Sequence, residues 1–295
     1  MDRFKGYIEE NDSSLEAFSR QLYNEFISDE DLLKECKEKG ISEQEIYDNI
    51  GFFSDIKENR DKEKTIKTYE DCVKNNTFYH VDIVRTRYGF DKKFDALPVY
   101  KKYLKYMSSF IYKDFPDKFN NVKWQDLDNK KAKNYISNQY KNKNWIYLYG
   151  AINSGRTYLS IAFLNLYLSK HDSKVAFLDC GRRMSELANL FFKDRNDFQD
   201  ALNALMNCDV LILDNFASEA KTTYIRDEII MPILSSRANN NKITIFTSSF
   251  SIALIENLYS LKNKDEAGCI KSKEICNLLK SKVSNDFCVS NISLY

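Results

Sequence analysis

The chain has 295 residues, of which 8 are glycine and 3 are proline, and 43% of its residues are hydrophobic. This composition excludes collagen-like and low-complexity proteins, and the length allows one large or two ordinary domains. Lys and Arg total 44 against 43 Asp and Glu, so the net charge of +1 excludes a uniformly basic nucleic-acid coat. The charge is locally uneven, because residues 1–60 carry 8 basic and 16 acidic side chains whereas residues 101–145 carry 11 basic and 4 acidic. Opposed local fields of this kind indicate different partners for the two stretches, with solvated helix faces as the plainer alternative for either one.

Cysteine usage and the absence of long apolar runs indicate the cellular environment. The seven cysteines lack a repeated C-x-x-C spacing, which favours reduced thiols over a disulfide framework. The first residues lack the apolar run of a signal peptide, and no apolar stretch approaches the roughly 20 residues that span a bilayer. These features predict a cytoplasmic protein without a membrane partner.

The first part of the chain has mostly helical periodicity. Short helices are predicted before residue 77, a β-like pattern of aromatic and β-branched residues covers 77–90, and a basic, Tyr-rich helix is predicted around 98–111. A polar segment that contains Pro116 follows, which marks a domain boundary. We therefore predict a mostly helical domain over 1–112 and a basic linker over 113–140.

Beyond the linker, short apolar strands alternate with helical segments. The predicted strands are Trp145–Tyr149, Lys174–Asp179, Val210–Asp214 and Ile243–Ser248. Repeated strand–helix units of this kind predict a parallel sheet flanked by helices. The fold class is therefore α/β, with one domain over 141–295 that follows a smaller, mostly helical one.

A phosphate-loop motif follows the first of these strands. Residues 150–157 have the spacing G-x-x-x-x-G-K-[ST], with Arg156 where lysine is expected. Glycines let such a loop wrap a phosphate so that amide groups and a helix N-terminus face it. Thr157 is placed to hold a magnesium ion. The predicted nucleotide-binding residues are Gly150, Ala151, Ile152, Asn153, Ser154, Gly155, Arg156, Thr157 and Tyr158.

Two later strand ends carry polar residues that suit the same site. The apolar strand Val210–Asp214 ends in a carboxylate, which is the Walker B pattern whose Asp assists magnesium binding. The strand that begins at Ile243 ends in polar residues up to Ser249, where a sensor of the γ-phosphate would lie. An Asp at the end of a strand is by itself more often structural, and it is the combination of these motifs in this order that indicates a nucleotide site.

The motifs, taken in order, resemble those of bacterial replicative-helicase loaders of the DnaI/DnaC type, primosomal proteins within the AAA+ ATPases. The resemblance covers roughly residues 119–260, and it includes L-D-N-F-A-S-E, similar to the loader pattern L-D-D-I-G-A-E. The matching segments are 148–159, 213–219, 224–229, 233–237, 246–250 and 254–256.

This resemblance implies a function and a set of partners. It implies an AAA+ domain that binds ATP or ADP with magnesium held through Thr157 and Asp214, and an N-terminal domain that grips the replicative DNA helicase. It also implies that the AAA+ domain self-associates and contacts single-stranded DNA. The role implied is to help load the helicase on single-stranded DNA during replication initiation or restart.

Five positions depart from the family pattern where hydrolysis is performed. Arg156 replaces the loop lysine, Asn215 replaces the second Walker B acid, and Ser249 replaces the sensor asparagine. Glu274 and Leu278 stand where the loaders carry arginines, and the resemblance implies that the second of these is the family's arginine finger. An arginine finger contributes roughly 10³–10⁵ in rate. The departures therefore predict nucleotide binding with weak or absent hydrolysis, and Asp214, Asn215 and Ser249 as a degenerate catalytic set.

The zinc site that such loaders commonly carry in the N-terminal domain is not expected here. Only Cys72 and His80 lie in that neighbourhood, whereas a structural zinc ion normally has four ligands. We therefore predict no zinc.

The basic stretch is the candidate contact for single-stranded DNA. Its lysines offer phosphate contacts and its tyrosines offer stacking faces. The residues are Lys101, Lys102, Lys105, Lys130, Lys131, Lys133, Tyr103, Tyr106, Tyr112 and Tyr135. Arg182 and Arg183 are further candidates for DNA contact, with a plain surface role as the alternative, and Arg237 is a candidate for pairing across a subunit interface.

Other functions remain open at this point. An active but divergent loader would draw its catalytic acid from elsewhere, for instance from Asp179 or Glu219. A transposition-helper ATPase shares the AAA+ core, but it requires intact hydrolysis residues and a different N-terminal segment. A nucleotide-free assembly protein is the third alternative.

Overall fold

The computed structural model describes residues 2–260 and 266–290, and the side chains of residues 14–260 and 269–290. The chain divides into two compact units, Met1–Lys105 and Tyr106–Tyr295. The first unit contains α1 (Asp2–Ile27), α2 (Glu30–Glu38), α3 (Glu43–Asp48), α4 (Ile50–Lys64), α5 (Tyr69–Asn75), β1 (Tyr79–Thr86), β2 (Gly89–Ala96) and the first part of α6 (Pro98–Ser108).

The first unit is mostly helical, as predicted, and its helices pack around one apolar core. Phe26 of α1, Ile46 of α3 and Phe53 of α4 are fully buried. The strands β1 and β2 form an antiparallel hairpin that places Val81 and Ile83 in the same core. Burying each of these large side chains contributes roughly 1.5–3 kcal/mol. The unit therefore has a core of its own.

The second unit alternates strands and helices. Its elements are β3 (Phe110–Lys113), α7 (Lys130–Lys141), β4 (Ile146–Tyr149), α8 (Arg156–Leu168), β5 (Val175–Asp179), α9 (Cys180–Lys193), α10 (Arg195–Asn207), β6 (Val210–Asp214), a π-helical segment (Ile225–Ile230), α11 (Met231–Asn239), β7 (Ile243–Ser248), α12 (Ile252–Tyr259), α13 (Glu266–Lys282) and β8 (Phe287–Cys288). Two short 3₁₀ turns lie between β3 and α7, at Asp117–Phe119 and Trp124–Asp126.

The six strands of the second unit form one parallel sheet in the order β3-β5-β6-β7-β4-β8. Tyr149 at the end of β4 pairs with Ser248 of β7, and Asp179 at the end of β5 pairs with Asp214 of β6. The strand ends that follow the apolar runs therefore share one edge of the sheet. The predicted α/β class, with a parallel sheet flanked by helices after a smaller helical domain, is confirmed.

Helices cover both faces of this sheet. Alternate residues of one strand enter different cores, because successive side chains of a strand point to opposite faces. Ile212 packs in the cluster that contains residues of α7 and α8, whereas Leu213 packs in the cluster that contains residues of α9 to α13. Both side chains are at most 1% exposed. Burial on both faces explains why the strands read as continuous apolar runs.

The segment predicted as a basic linker lies inside the second unit. The boundary between the units falls at residues 105 and 106, and residues 113–140 contain two 3₁₀ turns and most of α7. Phe115, Leu127 and Ile136 from this segment are buried in the core beside α8. The lysines conceal this role, because α7 is amphipathic and exposes Lys130, Lys131 and Lys141 while its apolar residues enter the core.

The helix predicted to reach residue 111 is shorter than expected. It ends at Ser108, and Phe110–Lys113 pairs in parallel with β5 as the edge strand β3. A four-residue strand joined to a helix by one residue gives too little periodicity to be recognised in sequence. The second unit consequently begins before the predicted boundary at residue 112.

Among the described residues, no helix combines the length and the apolar character that a membrane span requires. The seven cysteines are free thiols, and five of them are buried.

Candidate nucleotide-binding site

The loop between β4 and α8 has the backbone of a phosphate loop. Its first residue, Gly150, donates its amide to the Ser248 carbonyl at 3.1 Å, which fixes the loop to the end of β7. Asn153 and Gly155 have φ angles of 63° and 91°, in the region that glycine adopts without strain. Gly155 is the N-cap of α8, so the unpaired amides of a helix N-terminus adjoin the loop.

Gly150 is required by a close approach of two backbones. A Cβ atom added at this position would lie 2.5 Å from the Val289 carbonyl oxygen and 3.0 Å from the Ser154 Oγ. The carbonyl belongs to backbone and cannot move aside as a flexible side chain would. Any other residue here would therefore push the loop away from the segment after β8.

The loop interior contains an unsatisfied polar atom. Ser154 is 1% exposed, and its Oγ has no hydrogen-bond partner within the described part of the chain. A buried hydroxyl without a partner costs about 1–3 kcal/mol, so it favours a ligand that can accept its proton. The close approach at Gly150 and this free hydroxyl both fit a phosphate group.

The two residues predicted to hold magnesium are in direct contact. Thr157 donates its hydroxyl to Asp214 Oδ1 at 2.8 Å, and Thr247 donates to the same oxygen at 2.5 Å. Burial raises the pKa of Asp214, and the two hydroxyl hydrogen bonds act in the opposite direction. A hydroxyl beside a carboxylate is the kind of hard-oxygen donor pair that Mg²⁺ accepts. The residues present fit a magnesium ion.

Arg156 connects the substituted positions of the site. Its side chain is buried, and Nη1 donates to the Ser248 carbonyl at 2.7 Å and also to the Gly150 carbonyl. Nη2 lies 3.3 Å from Ser249 Oγ and 3.5 Å from Asn215 Oδ1. Burial lowers the pKa of Arg156, which nevertheless stays cationic because a guanidinium starts from a very high value. The structure therefore brings three of the five departures from the family pattern into one cluster.

Asn215 lies between the two strand-end carboxylates. Its Nδ2 is 3.3 Å from Asp214 Oδ2 and 3.5 Å from Asp179 Oδ1. The backbone has a φ of 54°, and the amide donates to Thr247 Oγ1 at 3.0 Å. An amide side chain in this place orients its neighbours by hydrogen bonds, but it cannot take a proton from water.

The two acids considered as replacements are placed very differently. Asp179 is half-exposed beside Asn215. Glu219 is 3% exposed, accepts a hydrogen bond from the Tyr259 hydroxyl at 2.5 Å and pairs with Lys221 at 3.0 Å. Of the two, Asp179 is the one that the structure brings to the site.

The other predicted residues lie around the loop or at a distance. Ile152 is 80% exposed at the loop tip, and the Tyr158 ring makes an edge-on contact with Phe119 at 5.9 Å. On α13, Glu274 is exposed and Leu278 packs against the core. Ala151 and Asn153 are exposed in the loop.

Two arginines prove to be internal, namely Arg237 and Arg226, which lies in the matched segment 224–229. Arg237 is 0% exposed, and it donates to the carbonyls of Leu205 and Cys208 at 2.8 Å each. Arg226 is 2% exposed and donates to the Tyr259 carbonyl at 3.1 Å. Arg237 therefore cannot pair across a subunit interface. A buried guanidinium satisfies several carbonyls at helix ends, and nothing in the local sequence distinguishes it from a surface arginine.

Arg182 and Arg183 are bound within the second unit. Arg182 pairs with Asp114 at 2.7 Å, and Arg183 Nε donates to the other oxygen of the same carboxylate at 3.0 Å. Both also pair with Glu186. The surface role, and not the DNA contact, is therefore the interpretation that the structure favours.

The tyrosines predicted to stack on bases are engaged in the fold. Tyr103 stacks on Tyr69 at 3.5 Å, and Tyr106 donates its hydroxyl to Asn165 Oδ1 at 2.9 Å. The ring of Tyr112 lies under the Arg183 guanidinium at 4.8 Å. Tyr135 is 8% exposed, and its hydroxyl donates to the Asn285 carbonyl at 2.7 Å. The aromatic half of the predicted DNA contact is thus used for packing, whereas Lys101, Lys102, Lys130 and Lys131 are exposed.

The neighbourhood considered for zinc has other contacts. Cys72 is fully buried, and His80 Nδ1 lies 2.9 Å from Glu63 Oε2. Among the side chains of residues 14–260 and 269–290, no group of three or more metal-ligating residues converges.

Comparison with known proteins bears on the family and the fold. No family model matches the chain. Over 131 residues the chain is 27% identical to the replicative helicase loader DnaI of Bacillus subtilis (strain 168), a match that covers 44% of this chain and 41% of that protein. A crystal structure of DnaI superposes with a TM-score of 0.53 at 22% identity, covering 62% of this chain and 98% of the solved one. The sequence match confirms the resemblance to loaders of this type, as a divergent relative, and the superposition confirms the fold.

Proposed function

We propose that this chain, a divergent relative of the DnaI-type helicase loaders, binds a replicative DNA helicase and helps to place it on single-stranded DNA. The most direct support for this proposal is the sequence match to a replicative helicase loader, which is 27% identical over 131 residues. The chain matches about two fifths of that protein's length, so the partner and the substrate are inferred from the matched part.

We further propose that residues 150–157 hold the phosphates of ATP or ADP. The closely packed Gly150, the unpartnered Ser154 hydroxyl and the N-terminus of α8 support this assignment. Thr157 and Asp214 would hold a magnesium ion, which supplies positive charge against the phosphate oxygens. The chain's own residues would thereby bind and orient the nucleotide.

Hydrolysis at this site is expected to be weak or absent. Asn215 supplies an amide where a general base is needed, and Arg156 makes its hydrogen bonds to backbone carbonyls. Glu274 and Leu278 offer no positive charge for the nucleotide of a neighbouring subunit. The transposition-helper alternative requires intact hydrolysis residues and is therefore disfavoured by the same observations.

The first unit is our candidate for the helicase contact. Leu15 and Phe18 of α1 are 61% and 57% exposed, and exposed apolar side chains three residues apart lie on one face of a helix. Neighbouring apolar residues on a surface commonly mark a protein interaction site. The stretch up to residue 60 is acidic, which suits a basic surface on the partner.

A retention experiment with the full-length chain tests the function and the location of the contact together. The immobilised protein is incubated with the replicative helicase of the same organism, and Leu15→Ala/Phe18→Ala is compared with Tyr88→Ala. Tyr88 is 99% exposed in the turn of the β1–β2 hairpin, so its removal controls for the loss of a surface apolar group.

We expect the parent chain and Tyr88→Ala to retain the helicase equally, and the double variant to retain at least about tenfold less, as for the loss of a central apolar contact. No retention by the parent chain would refute the loader function. Equal retention by all three proteins would leave the function standing and refute the α1 contact.

A further inference from the structure

We propose that Arg156 makes the phosphate loop a site that accepts nucleoside diphosphates and triphosphates with nearly equal affinity. The loop would bind the phosphates common to both, while the guanidinium stays on the ends of the sheet and adds little for the γ-phosphate. This inference rests on the proposed nucleotide binding and specifies which nucleotide states the site distinguishes.

The donors of Arg156 contact groups at the ends of β4, β6 and β7. Nη1 contacts the carbonyls of Gly150 and Ser248, one at the end of β4 and one at the end of β7. Nη2 faces Asn215 Oδ1 and Ser249 Oγ, on the segments that follow β6 and β7. The residue is 6% exposed, so these contacts replace water almost completely. Both terminal nitrogens are thus engaged by the protein.

The arginine at this position differs from the lysine of the motif in shape and in the arrangement of its donors. A lysine ammonium is a compact charge that acts on the β- and γ-phosphates of a bound triphosphate. A guanidinium is planar, and its fork of donors can span two carbonyls at once. If Arg156 turned toward a γ-phosphate, the carbonyls of Gly150 and Ser248 would each lose a buried donor. The loss of these hydrogen bonds opposes the movement.

The two positions expected to lie near the γ-phosphate are also substituted in this chain. The second Walker B position and the sensor position are Asn215 and Ser249, and both contact the Arg156 side chain. Asn215 Oδ1 and Ser249 Oγ face the guanidinium, and neither residue carries a positive charge that would form an ion pair with a γ-phosphate. The parts that would hold the α- and β-phosphates do not depend on them. They are the loop backbone and the N-terminus of α8.

As a consequence, exchange of ATP for ADP would not by itself switch the protein between conformational states. Exchange of one nucleotide for another shifts a conformational equilibrium only when the two differ in their relative affinities for its states. Here both nucleotides would be held by the same contacts of the loop and the N-terminus of α8. Bound nucleotide would still stabilise the second unit by mass action. Release of the helicase would then depend on partners and not on the hydrolysis of ATP at this site.

Calorimetric titration of the full-length chain tests the inference, with ADP and a non-hydrolysable ATP analogue in the presence of magnesium. For the parent chain we expect dissociation constants within about threefold of each other. Arg156→Lys should shift the ratio by at least about tenfold toward the ATP analogue, the effect of about one charge-assisted hydrogen bond. Arg182→Lys, the same change at a half-exposed arginine of this unit, should leave the ratio unchanged.

A second measurement covers the case in which Arg156→Lys fails to fold. The guanidinium signals of Arg156 in a ¹⁵N NMR spectrum of the parent chain should be the same with ADP and with the ATP analogue.

A tenfold or greater preference of the parent chain for the ATP analogue, or a guanidinium signal that moves only with the analogue, would overturn the inference and leave nucleotide binding intact. Binding of neither nucleotide would refute the nucleotide-binding proposal itself. In that case the helicase-retention experiment would still decide the loader function separately.

Discussion

The phosphate loop and the strand ends that face it match the loader pattern to very different degrees. In the loop, the two motif glycines are present, and Gly150 fits a contact that no side chain could share. At the strand ends, Asn215 and Ser249 stand where the family has an acid and an asparagine. Backbone geometry suffices to bind a phosphate, whereas hydrolysis needs particular side chains. Phosphate binding and hydrolysis should therefore be separable in this chain, because they depend on different parts of the site.

The largest effect should come from filling the space at Gly150. Gly150→Ala would bring a methyl group against the Val289 carbonyl, which would lie 2.5 Å away, so the loop has to shift. Overpacking of this kind costs about 1–3 kcal/mol in the free energy of unfolding. We expect nucleotide binding in calorimetry to be lost and the unfolding transition in denaturant to move to lower concentration.

The matched control for this substitution is Gly51→Ala in α4. A Cβ atom added at Gly51 meets no other atom within 4 Å, and alanine is the better helix former by about 1 kcal/mol. This variant should keep nucleotide binding and be as stable as the parent chain or more stable. If Gly150→Ala binds nucleotide as well as Gly51→Ala does, the loop is not the binding site.

The next largest effect is expected at the strand ends, where an acid in place of Asn215 tests whether hydrolysis can be restored. Asn215→Asp places a carboxylate within reach of Arg156, since Asn215 Oδ1 is 3.5 Å from Nη2. That carboxylate would pair with the guanidinium instead of orienting a water molecule. We expect ATP turnover of the single variant to stay within a fewfold of the parent chain, and Arg156→Lys/Asn215→Asp to exceed it by about tenfold or more.

The double variant should still fall short of the 10²–10⁴ that a general base typically contributes. Glu274 and Leu278 continue to stand where an arginine finger would act. Turnover is measured by phosphate release at saturating ATP, with Arg156→Lys alone as the control for the loop. Full activation by Asn215→Asp alone would mean that Arg156 does not compete for the new carboxylate.

The sequence predicts the sheet of the second unit closely. The strands expected at 145–149, 174–179, 210–214 and 243–248 are observed to within one residue, because a strand buried on both faces is a continuous apolar run. The strands β3 and β8 were not predicted. Each has at most four residues and is defined by its neighbour in the sheet, which local periodicity does not reveal.

The environment of charged residues is harder to predict than the strands. Arg156, Arg226 and Arg237 are all at most 6% exposed, although none of them is flanked by a sequence signal for burial. Each is held by backbone carbonyls from segments that are distant along the chain. Motif spacing identifies Thr157 and Asp214, whose side chains are in contact, but the contacts of Arg156 depend on where two other strands end.

A smaller effect is expected when the charge of Asp214 is removed. Burial raises the pKa of this carboxyl, so its ionised form is disfavoured in the folded protein. Asp214→Asn keeps an oxygen that can accept hydrogen bonds from Thr157 and Thr247. We expect the variant to be more stable than the parent chain at neutral pH and to bind magnesium nucleotide more weakly, as functional sites commonly trade stability for function.

The raised pKa of Asp214 also predicts how the stability of this variant, relative to the parent chain, depends on pH. A carboxyl whose folded pKa is raised contributes stability that is fully present below its unfolded pKa and is lost as pH rises through the folded pKa. The stability advantage of Asp214→Asn should therefore shrink as the pH is lowered through the folded pKa of Asp214. Denaturant unfolding of both proteins between pH 4 and pH 8 measures it, and an advantage independent of pH would mean that charge is not the cause.

The smallest effect should lie outside both regions, on α7. Lys130 and Lys131 are exposed. The tyrosines predicted to stack on DNA bases instead make contacts within the fold, such as the hydrogen bond from the Tyr135 hydroxyl to the Asn285 carbonyl. Contact with single-stranded DNA would then be electrostatic alone. Each phosphate contact that is lost reduces the slope of log affinity against log salt by about 0.7.

We expect Lys130→Gln/Lys131→Gln to weaken binding to an oligonucleotide a fewfold and to lower that slope by about 1.4. Stability should stay within about 0.5 kcal/mol, as is usual for exposed positions. Lys280→Gln, an exposed change on α13, is the control. Nucleotide affinity should be equal in all three proteins, since the loop lies elsewhere. An unchanged salt slope in the double variant would remove α7 from the DNA contact and leave the separation of phosphate binding from hydrolysis untouched.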